Sequence, residues 1–552
     1  MADVVEERRA QMFPTLTGSQ IARIAQHATR RLVPAGEILF DQGDPHRGMW
    51  IVLSGELEIT DPSVAGDHLV VVHTAGQFTG EVSSLAGRRN LVRGRMRLAG
   101  DVLALDAAGL RRLVQGDPEL SDLFMRAFIL RRVALLDRGF GDATLIGSAN
   151  SGDTLRLQEF FTRNAHPYAY IDVERNPDVQ TLLDRFHVGV DDVPVVICRG
   201  ERVLKNPTNE EVSDCFAFNA AIDPETIRDL IVVGAGPGGL AAAVYGASEG
   251  LDVLVLEGNA PGGQAGTSSK IENYLGFPTG ISGQALAGRA VTQAEKFGAE
   301  LAVARTVRRL RCDGSGLHQL ELGTGETVRA RAVIIASGVR YRRLTLPGVA
   351  RFEGTGVYYG ATPIEARLCQ GQEVVVVGGA NSAGQAAVFL ASQTNHVHML
   401  VRGAGLSDTM SRYLIRRLED NPKVTLWTHS EIVGLDGDDH LRTVQWRTAD
   451  GHIESRAIGH VFLMIGAEPN SKWLEGCVAL DGKGFVKTGI DVTRDELAGA
   501  AWPLARAPFL FETSRHRVFA VGDVRSGSIK RVASAVGEGS ICVQLVHRTL
   551  AE

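Results

Sequence analysis

The feature that most constrains this chain is Ile231-Val-Val-Gly234-Ala-Gly236-Pro-Gly-Gly239. A β-branched strand runs into a glycine turn and then into an Ala-rich helix. In such a unit Gly234 makes the turn, Gly236 lets backbone approach a diphosphate, and Gly239 lets helix and strand pack closely. The helix N-terminus then offers free N–H groups and the positive end of its dipole to phosphate. The next strand, Val253-Leu-Val-Leu-Glu257, ends in a carboxylate 18 residues past Gly239, where it can grip ribose hydroxyls. Strand, glycines, helix, strand and terminal acid together predict a dinucleotide site.

The pattern recurs. Val374-Val-Val-Val-Gly378-Gly-Ala380-Asn381-Ser382-Ala383 is again strand, turn and small-residue helix, with Ala380 where the second glycine is usual. The strand after it runs from His396 to Val401 and is followed by Arg402 rather than an acid, 19 residues beyond Ala383. A guanidinium there suits a 2′-phosphate, hence NADPH, and Arg412 is a second candidate for it. Two dinucleotide units in one chain imply hydride transfer between two cofactors.

At 552 residues the chain is long enough for three or four domains. Its net charge of −6 gives no basic surface for nucleic acid. The acidic, apolar-poor N-terminus does not read as a signal peptide. The uncharged runs Leu230–Ser248 and Val374–Val401 are broken by Gly, Pro, Asn and His and read as buried strand–helix units rather than membrane spans. The six cysteines, at 198, 215, 312, 369, 477 and 542, include no Cys-x-x-Cys and no zinc spacing. These features predict a soluble cytoplasmic protein without metal.

Ahead of the dinucleotide units lie two further regions. Met1 to Gly139 carries short strand-like runs punctuated by glycine, then helices over Asp106–Val114 and Ser121–Asp137, predicting a small antiparallel β-barrel. The stretch from Val33 to Ile59, and Gly76-Gln-Phe-Thr-Gly-Glu81, resemble the cyclic-nucleotide-binding domain family. That resemblance implies ribose binding by Glu81 and phosphate binding by an Arg nine residues on, but Asn90 stands there, with Arg88, Arg89 and Arg93 out of register. The alternative is a sensor barrel that packs or dimerises without a ligand.

Asp142 to Phe218 reads as βαβαβ: strands at 144–147, 169–172 and 193–197, helices over 154–164 and 180–186. It resembles a thioredoxin-like α/β fold, with Val193-Pro194 at that family's cis-proline position. The segment where such domains carry redox cysteines is Gly147-Ser-Ala-Asn-Ser-Gly-Asp153, without a thiol. A docking or signalling module without thiols is therefore expected, with a structural spacer as the alternative.

The remaining motifs are Gly262-Gly263-Gln264, Ile271-Glu-Asn273-Tyr274, Ile334-Ile-Ala-Ser-Gly338, Ile465-Gly-Ala-Glu-Pro-Asn470 and Val518-Phe-Ala-Val-Gly522-Asp523. With the two glycine units they resemble the low-molecular-weight thioredoxin reductase family from Glu225 to Leu550. The resemblance implies two Rossmann-like domains: an FAD domain over Glu225–Pro347 and 466–552, with an NADPH domain inserted over Gly348–Ile465. It also implies a homodimer, Asp523 at the FAD ribityl chain, and Arg531, Val532 and Ala533 near the flavin ring. One departure matters for chemistry. Where the family carries its Cys-x-x-Cys, this chain has Gly360-Ala-Thr362-Pro363, with Tyr358 and Tyr359 just before. Neither Gly nor Pro is a nucleophile, and Cys369, six residues past Pro363, has no partner thiol beside it. Three functions are expected in competition: a flavin reductase passing electrons from NADPH to ferredoxin, a quinone or oxygen; a thioredoxin-disulfide reductase; and a non-enzymatic flavin or nucleotide sensor. Tyr358, Tyr359 and Thr362 replace the dithiol loop and are the candidates to face the flavin or an acceptor, Tyr359 and Thr362 foremost near the flavin.

Overall fold

The computed structural model describes residues 9–44, 48–63, 66–80, 84, 89–137, 143–149, 151–175, 189, 192–199, 202–311, 316–438 and 440–552. In the first region, strands Thr29–Val33, Gly100–Leu105 and Met49–Val52 form one antiparallel sheet. Ile38–Phe40, Arg93–Leu98, Glu56–Ser63 and Gly66–His73 form a second. Val33, Val52, Leu57, Ile59, Met96 and Val102 pack together as their core. Helices α1 (Ala107–Gly116) and α2 (Pro118–Asp137) follow. The second starts three residues before the expected Ser121, because Pro118 tolerates a helical first position and the Asp117 carboxylate accepts the Leu120 N–H at 3.1 Å. Glu81 and Arg88 lie outside the described residues.

The second region has a four-stranded sheet in the order Arg202–Lys205, Val195–Cys198, Ala143–Gly147, Tyr168–Asp172. The last two strands are parallel and the other pairings antiparallel. Helices α3 (Gly152–Arg163) and α4 (Asn209–Phe216) flank it, and the Val193–Pro194 peptide is cis. The helix expected over 180–186 lies outside the described residues. The expectation of a module without thiols needs correction. Cys198, at the end of a strand, and Cys215, on α4, form a disulfide across 17 positions. The sequence gives no cue to it, since the two cysteines meet only because α4 packs back across the sheet. The segment 147–153 itself carries no sulfur.

From Ile227 onward the chain builds a seven-stranded sheet. Its parallel part runs Glu300–Val303, Val253–Glu257, Ile227–Val233, Thr327–Ile335, Val518–Ala520, and an antiparallel extension adds His318–Leu322 and Val307–Arg311. Helices α5 (Pro237–Ser248) and α6 (Gly283–Phe297) cover one face. The chain leaves this sheet after Ile335 and returns to it at Val518. Between lies a parallel sheet ordered Val357–Tyr358, Val461–Leu463, Glu373–Val377, His396–Leu400, Val424–Trp427, with a three-stranded antiparallel sheet of Glu431–Gly437, Leu441–Arg447 and Ile453–Arg456. Helices α7 (Pro363–Leu368), α8 (Asn381–Ala391) and α9 (Arg412–Glu419) belong to this insertion. The outgoing and returning chains pair antiparallel through Val339–Tyr341 and Ala467–Pro469. Helix α10 (Val532–Leu550) closes the chain against α5.

The two uncharged runs thus resolve into strand plus helix, and among the described residues no helix is long and apolar enough to cross a membrane. The same residues hold no cluster of metal-ligating side chains.

Candidate functional site: a cleft between the two glycine turns

The three glycines of the first unit have three distinct reasons to be glycine. Gly234 sits at φ +105°, and a Cβ there would lie 2.4 Å from the Ala336 carbonyl oxygen. A Cβ on Gly239 would lie 1.9 Å from the Gly234 carbonyl oxygen, so helix and strand could not pack as they do. Gly236 differs: its φ is −71°, and a Cβ there would meet nothing nearer than Gly263 Cα at 4.0 Å. Its missing side chain leaves room in a cleft rather than in the fold. Gly236 is also the N-cap of α5 with no side chain capping it, so the first amides of the helix face that space unspent. This is a cradle for a diphosphate, and the residues present fit a dinucleotide.

The cleft encloses about 620 Å³. Gly234, Gly236, Glu257, Gly263, Gln264, Asn273, Gly338, Asp523, Arg531 and Val532 all line it, so one space gathers residues spread across three hundred positions. Gly239 lies behind the wall. Ala533 does not line the cleft; Ala535, two residues further along α10, does. The Glu257 carboxylate accepts the amides of Ala235 at 2.7 Å and Asn259 at 2.9 Å. Burial pushes its carboxyl above the ordinary range, while those amides and the neighbouring Arg163 cation pull it back. Burial likewise raises Asp523, with the Lys530 cation opposing. The Gln264 amide donates to the Val339 carbonyl at 2.6 Å, tying the glycine loop to the crossing strands.

The inserted domain supplies the other wall through Tyr359, Gly360, Thr362, Glu365, Asn381, Ser382 and Gln385. Gly378, at φ +141°, could not carry a Cβ, which would lie 2.3 Å from the Met464 carbonyl oxygen. Ala380 is the N-cap of α8, again with no side-chain cap, and the Asn381 side chain accepts the Ser411 N–H at 2.8 Å. Ala383 is buried within α8. Arg402 and Arg412 do not line the cleft. Both are exposed, Arg412 at the start of α9, and neither enters an ion pair among the described residues.

The segment Tyr358 to Cys369 brings no thiol to the cleft. Tyr359 donates its hydroxyl to Glu353 at 2.7 Å, and burial, then that carboxylate, pushes it up to about 12. Thr362 is the N-cap of α7 and shares a capping box with Glu365. Tyr358 is buried against His460. Cys369 is fully buried in an apolar cluster with Ala366 and Val374, and burial pushes its thiol up to about 12. The Cys198–Cys215 pair lies elsewhere, beside Val303 and Ala304.

Sequence reasoning missed four contributors. Glu538 accepts the Gly522 amide at 2.6 Å and binds Arg525 at 2.5 Å, fixing the turn that presents Asp523. Asn209 on α4 donates to Asn259 at 2.8 Å. Glu159 and Arg163 of α3 line the cleft directly. Glu538, Asn209 and Arg163 join residues about 16 to 100 positions apart, with no local motif to mark them. In the first region, the arginines near the expected phosphate position are engaged: Arg89 donates to the Gly43 carbonyl at 2.6 Å, and Arg93 grips Asp41 at 2.8 and 2.9 Å.

Residues 228–539 match the pyridine nucleotide-disulphide oxidoreductase family, and residues 30–117 match the cyclic nucleotide-binding domain. The chain is 33% identical over 329 residues to the thioredoxin reductase of Mycolicibacterium smegmatis, a match covering 59% of this chain and 98% of that one. It is 34% identical over 331 residues to the thioredoxin reductase of Bacillus subtilis strain 168, covering 59% and 96%. Among solved structures, thioredoxin reductase from Lactococcus lactis superposes with a TM-score of 0.52 at 26% identity, over 59% of this chain and 99% of that one. That from T. acidophilum gives 0.53 at 25%, over 59% and 100%. The chain therefore belongs to the pyridine nucleotide-disulphide oxidoreductase family, as a thioredoxin-reductase-like, FAD-dependent oxidoreductase with an N-terminal cyclic nucleotide-binding domain.

Proposed function

We propose that the protein takes hydride from NADPH onto FAD and passes the electrons to a non-dithiol acceptor: ferredoxin, a quinone or oxygen. The observation that carries this reading is the cleft wall at Tyr359, Gly360 and Thr362, where the family's Cys-x-x-Cys would stand and no sulfur is present. A disulfide substrate needs a thiolate to attack it. Here Tyr359 and Thr362 are spent on Glu353 and Glu365, and Cys369 is sealed in the core.

When bound, the flavin supplies a site that holds an electron pair between nicotinamide and acceptor. This chain's residues do the rest. The amides at the start of α5 would hold the diphosphate, Glu257 the adenosine ribose and Asp523 the ribityl chain, with Arg531 and the start of α10 on the side of the flavin ring. In the inserted domain Asn381 and Ser382 present the start of α8 to the second dinucleotide, and Arg402 with Arg412 take its 2′-phosphate. Hence the division into residues 1–139, 142–218, 225–347 with 466–552, and 348–465. The second of these is read as a thioredoxin-like module, supported by its strand order. A cytoplasmic homodimer, with the N-terminal modules regulating it, completes the reading.

Turnover with NADPH tests it. A quinone or ferredoxin should be reduced, and oxidised thioredoxin should not. Rapid thioredoxin reduction would instead support the disulfide reductase, the second reading, which the names of the relatives favour.

A further inference from the structure

Helix α3 belongs to the N-terminal half and lies outside the span matched to the oxidoreductase family, yet it forms part of the cofactor cleft. One face of it, Gly152, Leu155, Glu159 and Arg163, spans both nucleotide domains at helical spacing. At its start, Gly152 abuts the backbone of the inserted domain, so closely that a Cβ on Gly354 would lie 2.6 Å from Gly152 Cα. Leu155 packs into the apolar cluster of Tyr358, Ala366 and Cys369. At its end, Arg163 reaches the loop after Glu257. Its Nη2 donates to the carbonyl oxygens of Ala260 at 3.1 Å and Gly263 at 2.9 Å, and its Nη1 to Glu159 at 3.1 Å. Thr162 anchors the same turn, its carbonyl accepting the Gln284 side chain at 2.8 Å.

The loop that Arg163 holds is the one facing Gly236 across the cradle, since Gly263 Cα is the nearest atom to a Cβ built there. Gly262 and Gly263 both have positive φ, +96° and +54°, so this loop has little intrinsic preference for its shape. A planar guanidinium is suited to the task, because it meets two carbonyls and a carboxylate at once and keeps its charge beside the phosphates.

We propose that Arg163 is a positioning residue for FAD, supplied by the N-terminal module: it sets the Ala260–Gly263 loop against the diphosphate and adds a fixed cation there. The inference rests on the assignment of FAD to this cleft. It makes cofactor retention depend on docking of a module that thioredoxin-reductase relatives covering 59% of this chain do not match.

The test is FAD titration of the full-length apoprotein, followed by quenching of flavin fluorescence, for wild type, Arg163→Lys and Arg163→Gln. Apoprotein Tm and NADPH affinity are measured alongside. Arg163→Gln should raise the FAD Kd at least tenfold, about 1.4 kcal/mol. Arg163→Lys, which keeps the charge and loses the paired carbonyl contacts, should fall between it and wild type. NADPH affinity should stay within twofold. If Arg163→Gln does not fold, Arg163→Lys carries the test with a threefold or greater rise. FAD Kd values within twofold of wild type for the folded variants would overturn the proposal, as would equal losses of FAD and NADPH affinity, which would mark a general packing role. A wild-type chain that binds no FAD would overturn the cofactor assignment itself, a different result from an unaffected variant.

Discussion

Replacing Gly236 with alanine separates the fold from the site within a single motif. The backbone there, φ −71° and ψ −179°, is open to any residue, and the added methyl meets no atom closer than 4.0 Å. Removing a glycine from such a position restricts the unfolded chain and stabilises by about 0.4–1 kcal/mol. For a domain of this size that moves Tm upward by at most a few degrees, at roughly 2–4 °C per kcal/mol. The same methyl occupies the space where a diphosphate meets the amides of α5. Losing one or two hydrogen bonds to a charged group, each worth about 1.5–3 kcal/mol, weakens FAD binding by about tenfold to roughly twenty-thousandfold. The assay is paired: apoprotein Tm by differential scanning fluorimetry, and FAD Kd by fluorescence titration. Gly236→Ala should keep its apoprotein Tm and lose its flavin. Gly239→Ala, whose Cβ would lie 1.9 Å from the Gly234 carbonyl oxygen, should lose both. A Gly236→Ala protein that binds FAD as wild type does, or that unfolds like Gly239→Ala, would refute the reasoning.

Other consequences can be measured independently. Arg402→Ala with Arg412→Ala should raise the KM for NADPH about tenfold and leave NADH untouched, as loss of charge-assisted contacts to a 2′-phosphate demands; equal effects on both coenzymes would remove the arginines from that role. Removing the Cys198–Cys215 link, which spans 17 positions, should lower the stability of its module by about 3 kcal/mol; denaturant curves of Cys198→Ser/Cys215→Ser that overlay wild type would contradict this. Burial, and then the Arg131 cation, push His73 down to about 3. Its folded value therefore lies below the unfolded value of about 6.5, so between those pH values the unfolded chain takes up a proton that the folded chain refuses. Stability of the N-terminal region should fall as pH drops below about 6.5, by up to roughly 1.4 kcal/mol per pH unit, and His73→Gln should flatten that slope; an unchanged slope would show that His73 titrates normally.

Local chemistry was legible in the sequence, and tertiary chemistry was not. Gly234 and Gly239 do what strand–turn–helix packing requires, Gly236 leaves the cleft open, and Glu257 lines that cleft. The insertion was legible only through the family resemblance, whose motif Val518-Phe-Ala-Val-Gly522-Asp523 marks the return, and Val518–Ala520 does pair with Thr327–Ile335 in the first sheet. Arg163 was illegible because a lone arginine on an amphipathic helix looks like solvated surface until Ala260 and Gly263, about 100 residues away, are brought beneath it. Glu538 and the Cys198–Cys215 pair were hidden in the same way: each partner sits in an ordinary local context, and only helix packing brings the two together. Ala533 was displaced for a geometric reason, since on a helix Val532 and Ala535 share a face and Ala533 turns away from it.

The most direct measurement is anaerobic single turnover. Holoenzyme is mixed with NADPH until the flavin absorbance bleaches, and then with either oxidised thioredoxin or a quinone. Prompt bleaching, persistence of the reduced flavin with thioredoxin, and immediate recolouring with the quinone are the expected results. Recolouring by thioredoxin as fast as by the quinone would contradict an electron path without sulfur.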